Sequence, residues 1–303
     1  MKRDEVEEHL LAKTRFVDVW LFFASVYLVS AVLYAPILIS GKGISTPLNK
    51  ALMMLVTFVP SVMGILFIYL TKGSEERRDF WRRAFRWPRS RTKMAIMGIL
   101  ILPCISITAL LISSYLGGTD ISLSYAAKVF TDWKALLVYL FVELNFGALS
   151  EELGWRGYAL DELQSRWSAL RSSLVLGLIW AFWHTPAFLI PGLSQYEMGG
   201  FLSPAYISFI VSVALGSILI TWTYNNTGRS ILVAGFLMHF AQNASLILLG
   251  GIFGSFTMPP AYWTVVLVET AIVAGLVVFF CGSKSLADRA RFPGSGVRRT
   301  ADR

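Results

Sequence analysis

An all-α fold, a polytopic membrane helix bundle of about eight transmembrane helices around a cytoplasm-facing polar cavity, is the class this chain predicts. Three observations point to it. The 303 residues are 55% hydrophobic and only 15% charged, which is too apolar for a soluble domain of this length. The charges gather in a few segments and leave uncharged runs of about 20 residues, the length of a spanning helix and not of a spanning strand. A small set of polar side chains, Glu151, Glu152, Arg156, His184, His239 and Asn243, sits inside or at the ends of those runs. At membrane depth such groups are expensive and by default mark a functional site.

The hydrophobic runs fall at about 16–40, 51–71, 94–117, 135–153, 172–190, 204–223, 230–250 and 260–281. The fourth is the least regular, carrying Glu143, Asn145 and the Glu151–Glu152 pair near its end. The connections alternate in charge. The segments 1–15, 72–93, 156–171, 224–229 and 284–303 hold 23 of the 27 Lys and Arg, while Lys42, Lys50, Lys128 and Lys134 are left for the opposite loops. The positive-inside rule then puts both termini in the cytoplasm, which agrees with an even number of spans in a multi-pass protein of the cell membrane. The N-terminal run is too long for a cleavable signal and lacks a small-residue cleavage site. One integral domain, 1–303, is expected. It has a motif-bearing core at about 135–250, a basic interfacial segment at 72–93 and a basic tail at 282–303. Cys104 and Cys281 read as small core residues and not as a disulfide.

The formal charge of +8 raises nucleic acid as a partner. The placement of the basic residues argues instead for a bilayer with anionic headgroups. In 72–93, Phe80, Trp81, Phe85 and Trp87 alternate with arginines, as in an interfacial amphipathic helix that Pro88 would end.

Three motifs carry the chemistry. In Ser150-Glu151-Glu152-Leu153-Gly154-Trp155-Arg156-Gly157, Glu152 and Arg156 are four apart and can pair on one helical face. Glu151 points about 100° away, free for another task. Two adjacent carboxylates in a poorly solvated place cannot both be ionised cheaply, and the arrangement suits one of them to act as a general base. Trp180 and His184 share a face in the fifth run, with Pro186 placed to kink it. His239 and Asn243 lie side by side in the seventh, two hydrogen-bonding groups of the kind that stabilise an oxyanion. No GxSxG elbow and no HExxH pair is present.

In this order the motifs EELGWR, WAFWH and HFAQN resemble the CPBP family of intramembrane proteases, whose signature reads EExxxR, FxxxH and HxxxN/B. That family includes the type II CAAX prenyl endopeptidase and bacterial bacteriocin-processing or immunity homologues. The likeness covers about 145–245, and Trp180 stands where the family usually has Phe. The resemblance implies Glu151 as the residue that activates water, His184 as its helper, and His239 with Asn243 as oxyanion stabilisers. Glu152, Arg156 and Trp180 would support them. It implies a membrane-associated peptide or protein substrate. No cofactor is favoured. The alternative is a zinc-dependent mechanism with Glu151, His184 and His239 as ligands. Two rival readings are a non-catalytic immunity or partner-binding membrane protein, and a transporter in which Glu143 and Glu269 would matter equally.

Overall fold

The computed structural model describes residues 3–117, 127, 130–250 and 261–287, with side chains from Asp18 onward in the first helix and up to Leu246 in the segment ending at Gly250. Lys2, Lys128 and the basic tail beyond residue 287 lie outside the described residues. Within them the chain is helical with no strand. The main helices are α1 (Arg3–Ser40), α2 (Pro47–Thr71), α3 (Ser74–Phe85), α4 (Thr92–Gly117), α5 (Trp133–Gln164), α6 (Ala169–Trp183), α7 (Pro204–Asn226), α8 (Met238–Gly250) and α9 (Tyr262–Cys281).

Seven helical segments among the described residues are long and apolar enough to cross a bilayer. The 230–250 run, also expected to span, is a π-helical stretch Leu232–Leu237 that runs into α8. Leu28, Val32, Leu70, Tyr115, Phe279 and Phe280 are exposed on the outside of the bundle, where acyl chains would cover them. Cys104 is exposed too, so it is not the core residue its apolar neighbours suggested, and neither cysteine is in a disulfide.

Local chemistry starts the helices where the sequence allows. Thr46 caps α2 by accepting from Asn49 N at 3.1 Å, with Pro47 at the first helical position. Ser203 caps α7 through Tyr206 N at 3.1 Å, and Pro204 follows it. Asp132 caps α5 through Lys134 N at 3.0 Å.

The fourth span does not end near 153 as its hydropathy suggested. α5 continues to Gln164, because the Glu152–Arg156 pair carries its charges inside the bundle and two wide turns, Leu144–Leu149 and Trp155–Ala159, interrupt but do not end it. These are π-helical turns, each of which leaves backbone groups without their usual partners. Ser61 of α2 supplies one repair: its hydroxyl donates to Leu149 O at 2.9 Å and accepts from Leu153 N at 3.2 Å. It can reach because α2 and α5 touch backbone to backbone. A Cβ on Gly64 would lie 2.5 Å from Gly154 Cα, and one on Gly154 would lie 2.2 Å from Pro60 O. Small residues permit this approach between membrane helices.

The basic helix α3 differs from a purely interfacial one. Phe80 and Ala84 are fully buried in the protein, with the Phe80 ring against Gly157. The exposed Phe85 stacks on Trp81 instead. Arg83 binds Asp161 at 3.1 Å and reaches Tyr224, whose hydroxyl donates to Asp161 at 2.8 Å. Arg229 also pairs with Asp161, and that carboxylate holds its guanidinium above the usual arginine range. Together these contacts rivet α3 to the ends of α5 and α7.

Candidate active site

Glu151 and Glu152 lie in the short α-helical turn Ser150–Gly154, between the two π turns of α5. Their side chains diverge as helical geometry requires. Glu152 points into protein and is fully buried. Its Oε1 accepts from Arg156 Nη1 at 2.7 Å and from His239 Nδ1 at 2.8 Å. Glu151 points into a cavity. Its Oε2 accepts from Trp180 Nε1 at 2.6 Å and Trp155 Nε1 at 3.2 Å, so one oxygen is fixed by two indoles. The other, Oε1, faces His184 Nε2 across 4.0 Å.

His184 stands at the end of α6, where the backbone passes into the 3₁₀ turn Thr185–Leu189. Pro186 has no amide hydrogen to continue the helix, so the span bends here as its sequence predicts. The ring's Nδ1 is 2.9 Å from Trp180 O. A carbonyl only accepts, so Nδ1 carries the hydrogen and the neutral ring presents a bare Nε2 toward Glu151. Trp180 holds the centre together. Its indole packs edge-on against His184 and His239, at ring distances of 5.8 and 5.4 Å, and the Arg156 guanidinium lies 4.2 Å from its centroid.

Asn243 follows His239 by one turn of α8, and both line the cavity with Glu151 and His184. The structure thus brings together all four residues expected to act, and the three expected to support them. Sequence reasoning did not find Trp155, whose indole is the second clamp on Glu151. It also missed Ser61, and it missed Gly147, where a Cβ would lie 2.7 Å from Asn243 Nδ2. The i,i+4 spacing of Trp155 from Glu151 was a usable signal. Ser61 is distant in sequence and gave none. Glu143 is buried in α5 and Glu269 accepts from Thr108 at 3.0 Å; neither lines the cavity that the transporter reading would have them share.

The cavity has a volume of about 1200 Å³. It runs from Glu151 past Met53 and Thr57 near the start of α2, Trp263 and Thr264 at the start of α9, and Glu197 and Ser203 in the loop before α7. The basic segments follow the other ends of these same helices, at Lys72, Arg229 and Lys284. The lining thus comes from the ends of these helices away from the basic segments. The reason is the extra length of α5. Beyond Glu151 the helix runs on through the buried residues Trp155, Arg156, Tyr158 and Leu163, which plug that end of the bundle.

A zinc ion held by Glu151, His184 and His239 would need three ligand atoms converging on one point at about 2.0–2.2 Å. Among the described residues no three His, Cys, Asp or Glu side chains are so disposed. Nδ1 of His239 is held by Glu152 and Nδ1 of His184 by the backbone, so each ring has Nε2 to offer a metal. The residues as arranged do not fit a three-ligand zinc site.

Residues 133–245, which contain Glu151, Glu152, Trp155, Arg156, Trp180, His184, His239 and Asn243, match the family described as Type II CAAX prenyl endopeptidase Rce1-like. Over 232 residues the chain is 28% identical to CAAX prenyl protease 2 of Methanococcus maripaludis, covering 76% of this chain and 84% of that protein. A helical membrane protein with these matches is a membrane peptidase. Both matches bear out the resemblance to the CPBP proteases read from the three motifs.

Proposed function

We propose that the chain is an intramembrane endopeptidase that hydrolyses a peptide bond of a membrane-associated protein with a water activated by Glu151, without a metal. The observation that carries this reading is the 4.0 Å gap between Glu151 Oε1 and His184 Nε2 on the cavity wall. A water in that gap can donate one hydrogen to each acceptor, which leaves its lone pair free for the scissile carbonyl carbon. As the C–O bond forms, Glu151 takes the proton. A positioned base of this kind contributes about 10²–10⁴-fold.

The tetrahedral oxyanion then accepts from Asn243 Nδ2 and from His239 Nε2–H. For His239 to donate there while donating Nδ1–H to Glu152, it acts as imidazolium. Glu151, Glu152, Arg156 and His239 then carry two negative and two positive charges, a neutral set suited to a poorly solvated site. Each oxyanion donor contributes about 10²–10³-fold. Glu151 returns its proton to the departing amine, the C–N bond breaks, and two peptide products leave.

Both termini and the basic segments face the cytoplasm in this reading, with α3 against anionic headgroups and no nucleic acid involved. The cavity then opens on the opposite face. The test is turnover of a membrane-anchored peptide by purified wild type, Glu151→Gln and His184→Ala, combined with labelling of single cysteines at Thr264 and Arg229 in sealed vesicles. Loss of cleavage in both variants is expected, with Thr264→Cys reactive only from the face away from the termini. Cleavage by Glu151→Gln at the wild-type rate would overturn the mechanism, and labelling at Thr264 from the terminal face would overturn the orientation.

A further inference from the structure

The mouth of the cavity carries a charge that the proposed mechanism does not use. Among the described lining residues the carboxylates and imidazoles are Glu151, Glu197, His184 and His239, with no Lys or Arg. Glu151 belongs to the internally balanced set on the cavity wall. Glu197 does not. It ends the helical turn Ser194–Glu197, is exposed, and forms no ion pair or side-chain hydrogen bond among the described residues. Its neighbours at the rim, Ser194, Gln195 and Ser203, are neutral.

The loop that bears it is held in place and cannot simply swing away. Ile44 N donates to Pro191 O at 3.2 Å, tying the loop to the start of α2. Thr185 and Tyr206 hydrogen-bond at 3.1 Å across its base, and Tyr206 packs edge-on against Phe188 and Phe201. Gly192, Gly199, Gly200 and Leu202 all have positive φ, which curls the loop tightly over the cavity. A carboxylate is thereby presented at a fixed place over the entrance.

We infer that Glu197 is a specificity-determining residue: it holds a cationic side chain of the substrate at the mouth while the scissile bond lies at Glu151. The preferred substrate is therefore a segment with a Lys or Arg on the mouth side of the cleaved bond. The inference rests on the peptidase reading above and names the substrate class of that site.

The experiment uses the full chain in vesicles and a set of membrane-anchored peptides. Each peptide carries Lys, Gln or Glu at one of successive positions flanking the cleaved bond, with free or amidated C-termini. Wild type, Glu197→Gln and Glu197→Lys are compared, with a thermal melt to confirm folding. For wild type, Lys at one position is expected to lower KM about 2–5-fold relative to Gln, the size of a partly exposed ion pair, with kcat unchanged. High salt should shrink the difference. Glu197→Gln should flatten the profile and Glu197→Lys should invert it toward Glu. A flat profile for wild type, or a Lys preference that survives in Glu197→Gln, overturns this assignment and leaves the peptidase reading standing. Absence of cleavage of every peptide by wild type sinks the peptidase reading and this assignment with it.

Discussion

His239 Nδ1 and Glu152 Oε1 lie 2.8 Å apart, although 87 residues separate them in the chain. The contact joins the second carboxylate of the first motif to the histidine of the third. Arg156 meets the same oxygen at 2.7 Å. Glu152 is therefore the anchor that orients His239 and not a spare acid. Its replacement by Gln keeps the shape but leaves Arg156 without a counter-charge in a fully buried place. Breaking a buried pair in this way costs about 3–5 kcal/mol. Glu152→Gln should lower the melting temperature and abolish turnover together. Glu151→Gln should abolish turnover with a far smaller thermal shift. Melting curves beside activity assays separate the two.

Trp180 acts through one hydrogen bond and three ring contacts. Trp180→Phe keeps an aromatic ring against His184, His239 and Arg156 but removes the 2.6 Å donor to Glu151. Trp155 still clamps the same oxygen. A bond to a charged group is worth about 1.5–3 kcal/mol, so kcat should fall roughly 10-fold or more with KM little changed. Trp180→Ala should unfold the centre, since it also removes the packing. An unchanged kcat in Trp180→Phe would show that the indole N–H does not position Glu151.

Two glycines of α5 should respond differently to the same added methyl group. At Gly154 the new Cβ meets backbone, Pro60 O at 2.2 Å, which cannot yield without separating α2 from α5. Gly154→Ala should express poorly and melt early. At Gly147 the obstacle is the amide end of Asn243, 2.7 Å away, which can rotate. Gly147→Ala should fold and yet lose activity as the proposed oxyanion donor is displaced. Expression level and turnover, measured on both variants, give the contrast.

Chelation tests the metal question without reference to any variant. Because Glu151, His184 and His239 do not converge as ligands, extensive treatment with a strong chelator should leave turnover unchanged. Loss of activity on chelation and its return with zinc would require a rearranged centre.

Much of this centre was legible before any coordinates, because buried polar groups are rare in so apolar a chain. Glu151, His184, His239 and Asn243 announced themselves by being costly where they stand. The Glu152–Arg156 pair followed from spacing alone. What escaped were relationships between helices. Ser61 is an ordinary serine in sequence, and only the backbone contact between Gly64 and Gly154 brings it to the carbonyl of Leu149. Phe80 reads as an interfacial aromatic until Gly157 opens a place for its ring. The length of α5 was misjudged because hydropathy treats Glu152 and Arg156 as solvated charges, whereas each neutralises the other inside the bundle.

The wide turn at Leu144–Leu149 has an implication for how this region tolerates insertions and deletions. A π-helical turn accommodates one residue more than an ordinary turn. Excising a single residue there would be absorbed as the turn relaxes to regular geometry, and Glu151 would keep its place on the cavity wall. The ordinary α-helical turn Ser150–Gly154 has no such slack, and a one-residue gap in it would rotate the helix beyond by about 100°. Where a residue is lost, as much as which residue, decides whether the centre survives.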